Sequence, residues 1–191
     1  MKNQTTLTCI LIFILSISSL FAQKDTIWFD ANWNTTTKNQ SSYYRTEPIK
    51  KNKGYLLTDY YLSGAKQMNA FSTTQDEDHF EGVVTWYFEN GKVMQTVTYK
   101  DGKLEGLRKN YHESGSLKNQ FSYTEGEILG EWVSYYENAK LSEKGNYKNG
   151  DRNGSWKEFY KSGKLKGEGN YANDKKVGNW KMYYYDGTQV D

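Results

Sequence analysis

The sequence predicts an all-β protein, an elongated, twisted antiparallel meander of tandem β-hairpins. Three observations predict it. Glycine returns every 24 residues, at Gly82, Gly106, Gly130, Gly154 and Gly178. Two turn dipeptides recur inside each interval. The stretches between them are rich in Tyr, Trp, Val and Thr, which suit a pleated, half-buried surface. Composition agrees: of 191 residues 16% are aromatic, which excludes a disordered chain, and Pro occurs only once.

With each of those glycines taken as position zero, the other columns line up. Position two holds Val84, Arg108, Trp132, Trp156 and Trp180. Position five holds Tyr87, Tyr111, Tyr135, Phe159 and Tyr183, and position six Phe88, His112, Tyr136, Tyr160 and Tyr184. Position eleven holds Val93, Leu117, Leu141 and Leu165, and position seventeen Tyr99, Tyr123, Tyr147 and Tyr171. Such self-similarity marks a stacked repeat array.

The first turn dipeptides are Asn90-Gly91, Ser114-Gly115, Asn138-Ala139, Ser162-Gly163 and Asp186-Gly187. The second are Asp101-Gly102, Glu125-Gly126, Asn149-Gly150 and Asn173-Asp174. Both sets read as two-residue hairpin turns with positive φ at both central residues. Ala139 predicts a strained or altered turn. On that geometry Tyr136 faces Leu141, Trp132 faces Gly145 and Gly130 faces Tyr147. Side chains alternate along a strand, so positions zero, two, six, eleven, fifteen and seventeen share one face. Each ring is expected to lie over the glycine opposite it. The position-five aromatics fall on the other, mostly polar face.

The repeats run 82–105, 106–129, 130–153 and 154–177, with a partial unit at 178–191. A degenerate unit at 54–81 precedes them, with an insertion within Thr73–Asp78. Residues 23–53 lack the repeat and read as a capping segment, with Asn34–Ser42 as a loop. Residues 1–22 have the three-part pattern of a secretory signal peptide, cut after Ala22, with an uncleaved anchor as the other reading. An exported protein follows, periplasmic, in the cell envelope or outside the cell. The only cysteine, Cys9, lies in that leader.

A search for chemistry yields no catalytic residue, no cofactor site and no metal site. No HExxH, GxSxG or phosphate-loop motif is present. His112 takes a slot otherwise filled by Phe or Tyr and reads as a core substitute. His79 follows Asp76-Glu77-Asp78, oxygen and imidazole groups that suit a divalent cation. Their spacing matches no metal loop, so a solvated loop is expected. The net charge of +2 argues against nucleic acid. The charge is uneven, net −6 over residues 71–139 and net +6 over 140–181. That asymmetry suits solvated strand faces, head-to-tail association or docking on an anionic surface.

The pattern G-x-W-x-x-Y-Y-x-N/S-G-x-L followed by Y-x-N/D-G is clearest at Gly130–Leu141 and Gly154–Leu165. It resembles the bacterial variant of the MORN repeat, over 82–191 and more loosely 54–81. Arg108 and Val84 replace the expected Trp, Asp174 a Gly and Gln189 a Leu. The resemblance implies extended sheets of successive hairpins that contact proteins and sometimes lipid. Many bacterial relatives carry a YwqK-type antitoxin label. The expected function is therefore a non-catalytic interaction scaffold with an unknown protein partner. The alternatives are a binder of envelope glycan or an anionic lipid surface, and an antitoxin-like inhibitor. For glycan, Tyr87, Tyr111, Tyr135, Phe159 and Tyr183 form the candidate ladder, stepping roughly 9–10 Å at every second strand.

Overall fold

The computed structural model describes residues 26–75 and 78–190. The leader and its cleavage site lie outside the described residues. All the strands belong to one antiparallel sheet. In chain order they are β1 (Ile27–Phe29), β2 (Tyr43–Arg45), β3 (Ile49–Lys51), β4 (Gly54–Tyr61), β5 (Lys66–Ser72), β6 (Gly82–Tyr87), β7 (Val93–Lys100) and β8 (Lys103–Tyr111). There follow β9 (Leu117–Thr124), β10 (Glu127–Tyr135), β11 (Leu141–Lys148), β12 (Asp151–Arg152), β13 (Gly154–Phe159), β14 (Leu165–Ala172) and β15 (Lys175–Met182). The described residues thus hold 15 strands, the shortest of them β1, β2, β3 and β12. From β4 onward sequence neighbours are sheet neighbours, apart from β12, which pairs β11. Residues 23–53 contribute β1, β2 and β3, and within the expected loop Lys38–Gln40 form one 3₁₀ turn.

The two turn classes differ. At the second turn both central residues have positive φ, for example Asp101 at 50° and Gly102 at 74°. This is the expected two-residue turn, whose twist matches the strands. At the first turn only the last residue does, Gly91 at 82° and Ala139 at 61°. There Ala139 N–H donates to Tyr136 O at 2.9 Å and Tyr136 N–H to Lys140 O at 2.8 Å. The loop is longer than expected, a β-turn closed by a left-handed residue. Its extra length is absorbed by a bulge between Ser134 and Tyr135, so Tyr135, not Tyr136, pairs with Leu141. A one-residue shift carries a side chain to the other face. Position eleven therefore joins the position-five column instead of the tryptophan face.

The glycines of position zero are also different from strand glycines. Gly106, at φ +80°, lies where the β7–β8 register slips between Val97–Arg108 and Tyr99–Leu104. Glycine is required there because the left-handed region is costly for any residue with a Cβ. The predicted pairs Trp132–Gly145 and Gly130–Tyr147 are present. The ring over Gly145, however, is not Trp132 but Trp156 of the next repeat, and Trp180 likewise covers Gly169.

An aliphatic core lies in the leading repeats, where Leu57, Met68, Ala70 and Val84 are buried against Phe80, Trp86 and Tyr99. Further on the sheet covers itself with rings. Phe121 stacks on Trp132 at 4.6 Å, and edge contacts join Tyr147, Trp156, Tyr171 and Trp180 at 5.1–5.6 Å. Arg108 fits this face in place of Trp because its flat guanidinium lies 5.7 Å from the Phe121 ring centre. Its nitrogens reach Gln95 Oε1 at 2.7 Å and Tyr123 Oη at 3.3 Å.

Position six ties a repeat to the next wherever it carries a polar ring atom, which Phe88 lacks. The hydroxyls of Tyr61, Tyr136 and Tyr160 donate to the carbonyls of Tyr87, Phe159 and Tyr183, each at 2.7 Å. His112 Nε2 lies 3.1 Å from Tyr135 O, so this imidazole replaces a hydroxyl in a hydrogen bond as well as a ring in packing. Burial pushes the Tyr61 hydroxyl above its usual pKa, as does the nearby Tyr43. Tyr136→Phe is expected to cost about 1 kcal/mol, the net worth of one such bond. Tyr160→Phe should add to it independently, as measured by urea unfolding of both single variants and the double.

Candidate functional site

The candidate ladder occupies the strand ends that enter the first turn. Tyr87, Tyr111, Tyr135 and Phe159 pair with Val93, Leu117, Leu141 and Leu165, and Tyr183 bridges to Gln189. The column is therefore an alternation of aromatic and aliphatic residues, not a bare ladder of rings. All five aromatics are half-buried. No ring pair among the described residues joins two of them. Lys66 Nζ lies 5.8 Å from the Tyr87 ring centre. Tyr183 Oη donates to Glu168 Oε1 at 3.2 Å, and Glu168 pairs with Lys157 at 2.8 Å. That hydrogen bond from Lys157 holds the Glu168 carboxyl below its usual range. Desolvation, with Glu168 second, pushes the Tyr183 hydroxyl up.

The opposite end of the same polar face carries a feature that sequence reading missed. Val83, Leu107 and Leu129 are exposed at 59%, 41% and 43%. Val83 pairs with Thr98, and Thr98 Oγ1 donates to Leu107 O at 3.3 Å. Leu107 and Leu129 both pair with Ser122, from its two sides. Val83, Thr98, Leu107, Ser122 and Leu129 thus form one strip across β6 to β10. The glycine bulges shift the register beside it, placing Leu107 at position one and Leu129 just before position zero on one line. A strict 24-residue alignment separates these two columns, so the strip is invisible to it.

The second missed feature lies at the N-terminal cap. Arg45, 5% exposed, sits on Asp59, 1% exposed, through Nε–Oδ1 at 2.6 Å and Nη2–Oδ2 at 2.9 Å. It also holds Asp78, through Nη1–Oδ1 at 2.7 Å and Nη2–Oδ2 at 3.4 Å. Burial opposes the Arg45 charge, but the two carboxylates outweigh it and raise its pKa. Burial pushes the Asp59 carboxyl up, against the pull of Arg45. Beside this triad Trp33 stacks on Tyr43 at 4.5 Å and 4° and lies 5.5 Å from Phe29. Phe29, Trp33 and Arg45 line a cleft of about 260 Å³, completed by Ile27, Thr35, Gln75 and Asp78. In the sequence the run Tyr43-Tyr44-Arg45 lies outside the repeat register, which therefore gives no partners for it.

His79 stands in the segment between β5 and β6, its Nδ1 3.4 Å from Thr74 Oγ1. Asp76 and Glu77 lie outside the described residues, and Asp78 is engaged by Arg45. Among the described residues no group of three or more His, Cys, Asp or Glu is placed to hold a metal ion.

Four segments, residues 80–101, 104–125, 128–149 and 152–173, match the family model of the MORN repeat variant. Each matched segment starts two residues before the glycine of position zero, and the 24-residue spacing is the same. No curated protein matches the chain. Repeats of this type are generally protein- or membrane-interaction modules and are generally non-catalytic.

Proposed function

We propose that this tandem array of MORN repeat variants is an exported, non-catalytic scaffold that holds another protein against its polar face. The observation that carries the reading is the strip of Val83, Leu107 and Leu129. Scattered exposed aliphatics need no explanation, but three of them in one line, on alternate strands of five, suit a contact surface. Aliphatic side chains favour a protein partner, since sugars are gripped by open aromatic faces. The position-five rings are half-buried and flanked by Val and Leu. Export rests on the leader-like residues 1–22 and the confinement of the only cysteine to them.

The test is a pull-down from the envelope fraction of the source cell with wild-type protein and with Val83→Asp plus Leu107→Asp. Both sites are exposed, so the variant is expected to fold. It should lose at least tenfold of the captured partner. Equal capture by the two overturns the reading. A glycan role predicts instead that a polysaccharide panel quenches the intrinsic fluorescence, and that Tyr111→Ala plus Tyr135→Ala abolishes it. An antitoxin role predicts that the chain relieves the lethality of a toxin encoded beside it.

A further inference from the structure

We propose that the cleft at the N-terminal cap receives a basic side chain, arginine or lysine, of a protein partner. The proposal takes the partner class from the scaffold reading but names a separate site and its chemistry. Two features of the cleft point to a cation. First, its charges do not cancel. Arg45 is the cation of the triad and faces two carboxylates, Asp59 and Asp78. Asp59 is sealed inside, whereas the Asp78 side chain is 45% exposed on the rim. The excess negative charge is therefore presented at the mouth. A carboxylate has about four lone-pair sites, so Asp78 keeps acceptor capacity after binding Arg45.

Second, the wall is aromatic. Trp33 is 40% exposed and held flat by Tyr43, with Phe29 beside it. An indole face is the best partner for a cation among side chains. Trp33 is held with φ +65°, strained backbone for a bulky residue. The turn that holds it is braced by Asp30, whose Oδ1 accepts from the amides of Asn32 at 2.8 Å and Asn34 at 3.0 Å. The wall is thus pre-organised, which reduces the ordering cost of binding. A cleft of about 260 Å³ has room for one side chain and its waters, not for an oligosaccharide. Gln75 on the rim adds a neutral amide acceptor.

The experiment titrates the full chain with N-acetyl-Gly-Arg-Gly-amide and with the same peptide carrying citrulline, the neutral isostere of arginine. Binding is read by calorimetry and by the indole N–H shifts in NMR. The arginine peptide should bind saturably, at least tenfold tighter than the citrulline peptide, and weaken as salt is raised. Asp78→Asn should weaken it at least tenfold, and Trp33→Ala should remove the indole response. Gln75→Glu, which adds a carboxylate at an exposed rim, should tighten it about threefold. The last variant decides the matter if Asp78→Asn does not fold. Equal binding of citrulline, or an affinity indifferent to both Gln75→Glu and salt, overturns the proposal. Capture of a partner through Val83 and Leu107 is read separately, so the cleft can fail while the scaffold reading stands.

Discussion

Gly145→Ala is expected to destabilise the array by about 3 kcal/mol, at the upper end of what one added methyl costs in a packed region. A Cβ built on Gly145 collides with the six-membered ring of Trp156, at Cε3, Cδ2 and Cζ3. The ring has nowhere to go. Trp156 is 1% exposed, flanked by Tyr147 at 5.6 Å and Tyr171 at 5.5 Å, with the Arg152 guanidinium 5.8 Å from its centre. Its Nε1 is also fixed to Glu143 Oε1 at 2.6 Å. Displacing the ring breaks contacts with the repeats on both sides. Gly130→Ala is the control, because nothing lies within 4 Å of its added Cβ and only its φ of +82° is unfavourable. That backbone term is about 1–2 kcal/mol. Urea unfolding should therefore separate the two alanine variants clearly. In the Trp156→Ala background Gly145→Ala should cost much less, since the colliding ring is gone. Equal costs for Gly145→Ala and Gly130→Ala would show that Trp156 does not press on the glycine.

The fold was legible because the period is strict. Glycine at 24-residue spacing and two turn dipeptides per unit fixed the meander and the pairing of Trp132 with Gly145. What escaped was local geometry that dipeptides alone do not encode. Asn138-Ala139 and Asn149-Gly150 read alike, yet only Asn149 has positive φ, 52°, while Asn138 does not. The difference decides a bulge, and the bulge moves Leu141 to the face of Tyr135. Gly106 escaped for a related reason. A glycine facing tyrosine reads as a strand position, but its φ of +80° makes it the pivot of a register slip. The equivalent slip at Gly130, between Leu129–Ser122 and Val133–Gln120, aligns Leu129 with Leu107 across Ser122. Both candidate features are products of such irregularity or of the non-repeating cap. Column alignment has no means of bringing Trp33, Arg45 and Asp78 together, since their separation along the chain follows no period. Position six was legible as an aromatic column. Its role as a donor showed only through His112, the one substitution that keeps a polar ring atom within 3.1 Å of the next carbonyl.

Arg45→Met is expected to cost about 3–5 kcal/mol, because it removes the cation and leaves the Asp59 carboxylate sealed in the cap. Asp59 is 1% exposed, and its two oxygens lie 2.6 Å and 2.9 Å from the guanidinium. Among the described residues Arg45 is the cation paired with Asp59. The penalty should depend on pH with a defined sign. Burial already raises the Asp59 pKa above its ordinary value of 3.8, and without Arg45 the opposing pull vanishes. The folded variant then takes up a proton at a pH where the unfolded chain does not. Stability of Arg45→Met should rise, relative to wild type, as pH falls through that raised folded value toward 3.8. Thermal unfolding of both proteins between pH 7 and pH 4 reads the gap directly. Arg45→Met with Asp59→Leu should recover most of the loss at pH 7, since the stranded charge is gone and the volume is nearly kept. A gap that widens on acidification, or a double variant no better than Arg45→Met alone, would place the cost in lost packing of the guanidinium against Phe29, 5.6 Å away, instead of in the buried charge.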